Sequence, residues 1–160
     1  MLKTSVKDKL EQLKLKGFLR TVETSLNQMI EQGTSFVDML DFCLDAEIND
    51  RSNRRIERLF SSAKFRYPTA RLEHIDYASE RQIKKANINH YANCEWINDC
   101  RGLIISGATG VGKSWLACAF GAEACHRGHS VMYFNAIQLF DEISSGIALG
   151  EIRNFKKKVC

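Results

Sequence analysis

Apolar residues recur at helical intervals through the front of the chain and give way, after residue 100, to short unbroken runs. Val6, Leu10 and Leu13 share one helical face, and Gly17 breaks that run. Leu19, Val22, Leu26, Met29 and Ile30 then repeat at the three-and-four spacing of a half-buried helix. Gly33 is placed to end it, because glycine enters the left-handed cap conformation without a Cβ penalty. Ser35, three residues ahead of Asp38, opens the next helix with a short form of capping box. Behind it run Phe36, Met39, Leu40, Cys43, Leu44, Ile48, Ile56, Leu59, Phe60 and Ala63, with neither proline nor glycine before Phe65. That pattern predicts one long helix. Pro68, the only proline, is expected to end it and to open an irregular stretch to about Tyr77. A short helical segment is expected around Glu80–Tyr91, and a single turn over Glu95–Asn98.

The pattern changes at Arg101. Leu103-Ile104-Ile105-Ser106 reads as a buried strand and Lys113–His126 as a helix, with Leu116, Ala117, Phe120 and Ala124 on its apolar side and Gly128 behind it. Ser130–Phe134 reads as a second strand and Ala136–Ile147 as a second helix. Strand, helix, strand, helix with short connections is the α/β pattern. The expected fold class is therefore α/β: an all-helical N-terminal domain over residues 1–67, a linker over 68–77, and an incomplete parallel-sheet core of the P-loop NTPase type over 78–160.

Between the first expected strand and the helix behind it lies Gly107-Ala108-Thr109-Gly110-Val111-Gly112-Lys113-Ser114, a complete G-x-x-x-x-G-K-[ST]. Such a loop wraps a phosphate with successive backbone N–H groups turned inward, a nest for anions. Gly107, Gly110 and Gly112 permit the backbone angles and leave room for phosphate oxygens. The helix opening at Lys113 adds the positive end of its dipole. Lys113 is the candidate catalytic cation for the β- and γ-phosphates of ATP, and the Ser114 hydroxyl the candidate Mg²⁺ ligand. The nucleotide-binding set is Gly107, Ala108, Thr109, Gly110, Val111, Gly112, Lys113, Ser114 and the adjoining Trp115. A dinucleotide-binding reading fails, since the spacing is not G-x-G-x-x-G and Asn135 stands where an acid would read the ribose.

Charge adds a second candidate site. The chain of 160 residues carries a net charge of +4, compatible with nucleic acid as a partner but not diagnostic of it. Arg51, Arg54, Arg55 and Arg58 form a cationic stripe on the long helix, with Lys64, Arg66 and Arg71 beyond it. The plainer account is a solvated face, or ion pairs with Asp50 and Glu57; the sharper one is contact with the phosphates of double-stranded DNA. Lys156-Lys157-Lys158 reads as a solvated helix end. No apolar run approaches the ~20 residues of a membrane span, and the N-terminus lacks a signal-peptide core, so a cytoplasmic protein is expected. The six cysteines lie without C-x-x-C pairing and read as buried small hydrophobes or free thiols. Cys125-His126 with His129 lacks the paired spacing of a zinc site.

Three stretches resemble the IstB-like transposition helper ATPases, relatives of the DnaC-type helicase loaders in the AAA+ class. Glu47–Leu59 is similar to that family's E-x-x-x-R-x-N-R-R helix, Glu95-Trp96-Ile97 to its W-I element, and Gly107–Ala119 to its loop signature. The resemblance implies a helical domain that assembles subunits and contacts DNA, a RecA-like ATPase core, a transposase as partner, and ATP control of a DNA-bound homo-oligomer. It also implies a departure: the acid-bearing Walker B strand and the sensors would come after Cys160, so a truncated form with weak or no hydrolysis is expected. Asp141, Glu142 and Glu151 do not follow an apolar strand as a Walker B acid would. A helicase-loader ATPase, and a DNA-binding or assembly module without ATP control, are the alternatives.

Overall fold

The computed structural model describes residues 3–77 and 83–151, and in them helix follows helix. The order is α1 (Thr4–Gln12), α2 (Lys16–Glu31), α3 (Phe36–Ala63), a 3-10 turn (Leu72–His74), α4 (Lys85–Ala92), α5 (Glu95–Asn98), α6 (Lys113–His126) and α7 (Ala136–Ala148). The backbone divides into two units, one up to Glu57 and one from Arg58, so the boundary falls inside α3.

Local chemistry explains four of the helix ends. Gly33, at φ 70°, follows α2 with its N–H on Ile30 O, and Thr34 N–H reaches Met29 O. Gly128, at φ 85°, repeats the arrangement behind α6 with bonds to Cys125 O and, from His129, to Ala124 O. Each pair satisfies carbonyls that a helix end leaves open. At the start of α3, Ser35 Oγ accepts from Asp38 N–H and donates to Asp38 Oδ2. Asn135, which stands where a ribose-reading acid would be, caps α7 by accepting from Gln138 N–H at 2.8 Å.

In the first unit, α2 and α3 meet so closely that glycine is required. A Cβ on Gly17 would lie 2.7 Å from Ala46 O, 2.8 Å from Asp50 Cβ and 2.9 Å from Glu47 Cα. Gly17 therefore does not break a helix, as its sequence position suggested; it lies inside α2 as a contact point. The chain turns instead at Lys14, in the left-handed region at φ 57°. Leu19 and Cys43 are buried beside this contact zone, whereas Phe36, Val37, Leu40, Leu44 and Ile48 along α3 stay exposed.

The second unit is built around α6. Cys118, Ala119, Phe120, Ala122, Ala124 and Cys125 are all buried, so the helix is enclosed on several sides rather than along one stripe. Ala117, expected on the apolar side, is exposed. Small residues let neighbours approach: a Cβ on Gly121 would meet the Phe65 ring at 2.6 Å and Val131 Cγ1 at 3.3 Å. Ala70 packs with Cys118 and Ala119, and Phe65, Leu72, Trp115 and Tyr133 close over them. α3 ends at Ala63, ahead of Pro68, because Lys64 takes the left-handed conformation at φ 52° and redirects the chain toward α6. Arg71 holds the turn that follows, donating to Pro68 O and Ala70 O with its guanidinium 4.8 Å from the Phe60 ring centroid. Of the segment expected at Glu80–Tyr91, α4 supplies Lys85–Ala92, and residues 78–82 lie outside the described residues.

The expected α/β class with a parallel sheet is corrected by this structure: no strand forms among the described residues. The two apolar runs do not make a ladder. A parallel strand exists only through hydrogen-bonded neighbours, and its side chains are buried only when both faces are covered. Ile104 is 91% exposed, and Tyr133 N–H donates to Ala63 O at 2.9 Å, at the end of a helix. Apolar composition marked these segments as strand-like, but composition cannot supply a partner.

Gly17→Ala should lower stability by about 1–3 kcal/mol, the usual cost of overpacking where backbone must move. Thermal melts followed by circular dichroism check this, and an unchanged midpoint would show that α2 and α3 have room to spare.

Candidate phosphate-binding loop and arginine cluster

The loop Gly107–Gly112 connects the apolar run before it to α6. Gly110 and Gly112 have φ of 85° and 91°, angles that a side chain would strain, and Gly112 is the residue from which α6 starts. No side chain caps that start and no acid lies in its first turn, so the first N–H groups of α6 and its positive dipole end are unanswered from within the helix. Lys113 folds back and donates from Nζ to Ala108 O at 2.6 Å, across the loop.

A cleft of about 810 Å³ opens over this loop. Gly107, Ala108, Gly110, Val111, Gly112, Lys113 and Trp115, seven of the nine residues of the candidate nucleotide-binding set, line it. Thr109 and Ser114 are exposed and lie outside the lining. Trp115 faces two ways, lining the cleft and packing on the Ala70–Cys118–Ala119 core. The other walls include His74, Ile75, Asp76 and Ile83, which belong to no motif. The only foretaste in the sequence is that Ile75 and Ile83 are apolar residues in otherwise polar surroundings.

The arginine stripe has a different organisation. Glu47 is the buried charged residue at its root, 4% exposed. Its Oε2 accepts from Gly17 N–H at 2.7 Å and Phe18 N–H at 3.2 Å, so a carboxylate from α3 caps the N-terminus of α2. Its Oε1 accepts from Arg51 Nε at 2.6 Å and lies 3.7 Å from Arg54 Nη2. Asp50 pairs with Arg54 Nε at 2.7 Å through Oδ2, and with Arg20 Nη2 at 3.4 Å through Oδ1. The Oδ2 atom is buried and not aligned for a hydrogen bond, so the neighbouring guanidinium charge is what compensates it. Arg51 and Arg54 thus hold Glu47 and Asp50, the first of these acids not being the partner expected from sequence. Arg55 and Arg58 are exposed along the same helix.

Burial opposes ionisation of Glu47. The Arg51 hydrogen bond, the Phe18 and Gly17 N–H groups and the Arg51 charge outweigh it and hold the carboxyl below the ordinary glutamate value of 4.5. The buried thiols move the other way: loss of solvent raises Cys43, Cys94 and Cys125, which keeps them protonated and unreactive.

A glycine loop of this pattern, closing on a lysine at an open helix start, is the motif of the P-loop class of proteins. The chain belongs to the family described as IstB-like ATP binding protein, which it matches over residues 8–159. It is 36% identical over 134 residues to a Pseudomonas fluorescens protein named for ATP binding in insertion sequence IS1162, covering 84% of this chain and 58% of that one. It is 32% identical over 137 residues to y4pL of Sinorhizobium fredii, covering 86% and 56%, and 30% identical over 156 residues to y4uH of the same organism, covering 95% and 61%. Both are named for ATP binding in insertion sequences. The chain therefore spans little more than half the length of the relatives it matches. No helix among the described residues is long and apolar enough to cross a membrane.

The lowered Glu47 value fixes the sign of a pH effect. Its contribution is fully present above the unfolded value near 4.5 and is lost as pH falls through the lower folded value. Glu47→Gln should cost about 1–3 kcal/mol at neutral pH, because the buried Gly17 N–H, the half-buried Phe18 N–H and Arg51 lose their charged acceptor. The gap between the two proteins should narrow below pH 4.5, and a gap independent of pH would mean that the carboxylate charge is not what holds α2.

Proposed function

We propose that this chain is an ATP-binding helper of insertion-sequence transposition, and that the loop Gly107–Ser114 grips the triphosphate. One conjunction supports the reading most: a complete loop motif, an uncapped start to α6 and a cleft of nucleotide size occur in one place. Lys113 already bonds a carbonyl oxygen, so turning to a phosphate oxygen exchanges one acceptor for a more highly charged one. Ser114, exposed in the first turn of α6, is the proposed ligand for Mg²⁺, which would offset charge between the β- and γ-phosphates. Binding, rather than turnover, is the activity proposed for this stretch of chain. The proposed setting is the cytoplasm.

Double-stranded DNA, a cognate transposase and further copies of the chain are the proposed partners. For DNA the support is the run Arg51, Arg54, Arg55 and Arg58 on α3. Arg51 and Arg54 are pinned by the acids beneath them, which offsets their charge locally but fixes their position; Arg55 and Arg58 are exposed on the same helix. For self-association the support is the exposed apolar series Phe36, Val37, Leu40, Leu44 and Ile48, more than an isolated surface residue would need.

Lys113→Ala should weaken ATP binding at least about tenfold, the loss of one charge-assisted contact, with helix content unchanged. Equal affinities of the two proteins in a fluorescence titration would exclude the loop as the site. For DNA, Arg55→Ala with Arg58→Ala should reduce the slope of log affinity against log salt by up to about 2, near 0.9 for each phosphate contact removed. An unchanged slope would leave these arginines a structural or solvation role only.

A further inference from the structure

We infer that Arg20 of α2 is a phosphate-contacting residue beside the arginines of α3, and that it reaches a DNA phosphate by exchanging the carboxylate of Asp50 for it. The inference rests on the reading of double-stranded DNA as a partner. It adds to that surface a residue from another helix, which no spacing along α3 could bring in. The two helices meet where Gly17 lets them approach, and the cations stand around that meeting. Arg20 comes one turn after Gly17 on α2, and Arg54 one turn after Asp50 on α3. Asp50 lies between them, with Oδ1 3.4 Å from Arg20 Nη2 and Oδ2 2.7 Å from Arg54 Nε. One carboxylate thus gathers guanidinium groups from both helices. Lys16, exposed and four residues ahead of Arg20, shares its side of α2 and extends the positive field.

The three arginines are not held alike. Arg51 Nε meets Glu47 at 2.6 Å and Arg54 Nε meets Asp50 at 2.7 Å, on acids whose side chains are 5% and 16% exposed. Arg20 has a longer contact, 3.4 Å, and its side chain is 71% exposed. An exposed pair of that length contributes little to stability, because water and salt screen it and the ordering of a long side chain opposes it. Its release is tolerable on the acid's side as well. Asp50 keeps Arg54 Nε when Arg20 turns away, so no buried carboxylate is left without a counter-charge. The phosphodiester replaces one anion by another, and a planar guanidinium with five N–H donors can meet two of its oxygens at once. Glu23, the next acid along α2, pairs with Lys7 at 3.0 Å, which offsets its repulsion of an incoming phosphate.

The test uses the whole chain and a synthetic DNA duplex of mixed sequence, with affinity measured across a salt series. Arg20→Ala should lower the slope of log affinity against log salt by about 0.9, the effect of one phosphate contact. The gap between this variant and the wild type should therefore shrink about 3.5-fold between about 50 and 200 mM salt. Arg20→Lys keeps the charge and should restore the slope, and neither variant should move the thermal midpoint. An unchanged slope in Arg20→Ala, beside a reduced slope in the protein carrying Arg55→Ala and Arg58→Ala, would overturn the role of Arg20 and leave the DNA reading standing. Unchanged slopes in both proteins, or no binding of the duplex by the wild type, would overturn that reading and this inference with it. A slope that Arg20→Lys does not restore, or a lowered midpoint in Arg20→Ala, would also overturn the inference and assign Arg20 to the joint between α2 and α3.

Discussion

The second unit depends on the burial of α6. A helix start without a capping side chain leaves N–H groups and a partial positive charge exposed, which is tolerable only where the helix is held by other means. Here the holding is done further along, by Cys118, Ala119, Phe120, Ala122, Ala124 and Cys125, all out of solvent. Phe65 and Val131 press on Gly121, and Leu72, Trp115 and Tyr133 close over Cys118 and Ala119. The stability of the helix thus comes from its body, and its first turn is left available for an anion.

The first unit solves the same problem in the opposite way. The start of α2 also lacks a local cap, since Leu15 offers no side-chain acceptor, but here a carboxylate from α3 is brought to it. Glu47 can be buried because two backbone N–H groups and Arg51 share its charge, and its removal would leave them unpaired. Gly17 makes this possible by leaving out the Cβ that would keep the two helices apart. One helix start is thus filled by the protein and the other is left without a side-chain cap.

These differences mark what could be read from the sequence. Helix boundaries set by short-range chemistry were legible: Lys113–His126 with Gly128 behind it, the single turn at Glu95–Asn98, and Ser35 at the head of α3. The loop was legible as a motif because a phosphate-binding loop needs particular residue types at fixed spacing. Gly17 was misread because a glycine needed for space looks in sequence like a glycine needed for a break. Leu103–Ser106 and Ser130–Phe134 were misread because a strand is a property of a pair of segments, whereas periodicity describes one. The role of Glu47 was hidden for a related reason, as its partners Gly17 and Phe18 lie thirty and twenty-nine positions earlier. His74, Ile75 and Asp76 line the cleft beside Leu72, which packs on Cys118 and Ala119 of α6, a contact that no local pattern announces.

The central claim is that the open start of α6 and the loop before it receive the phosphates of ATP. Amide hydrogen exchange, measured residue by residue with and without ATP and Mg²⁺, addresses it directly. The account predicts that added nucleotide slows exchange at the backbone N–H groups of residues 108–115, with the body of α6 already slow beforehand. Slowing that is absent from those amides, or confined to another part of the chain, would contradict it.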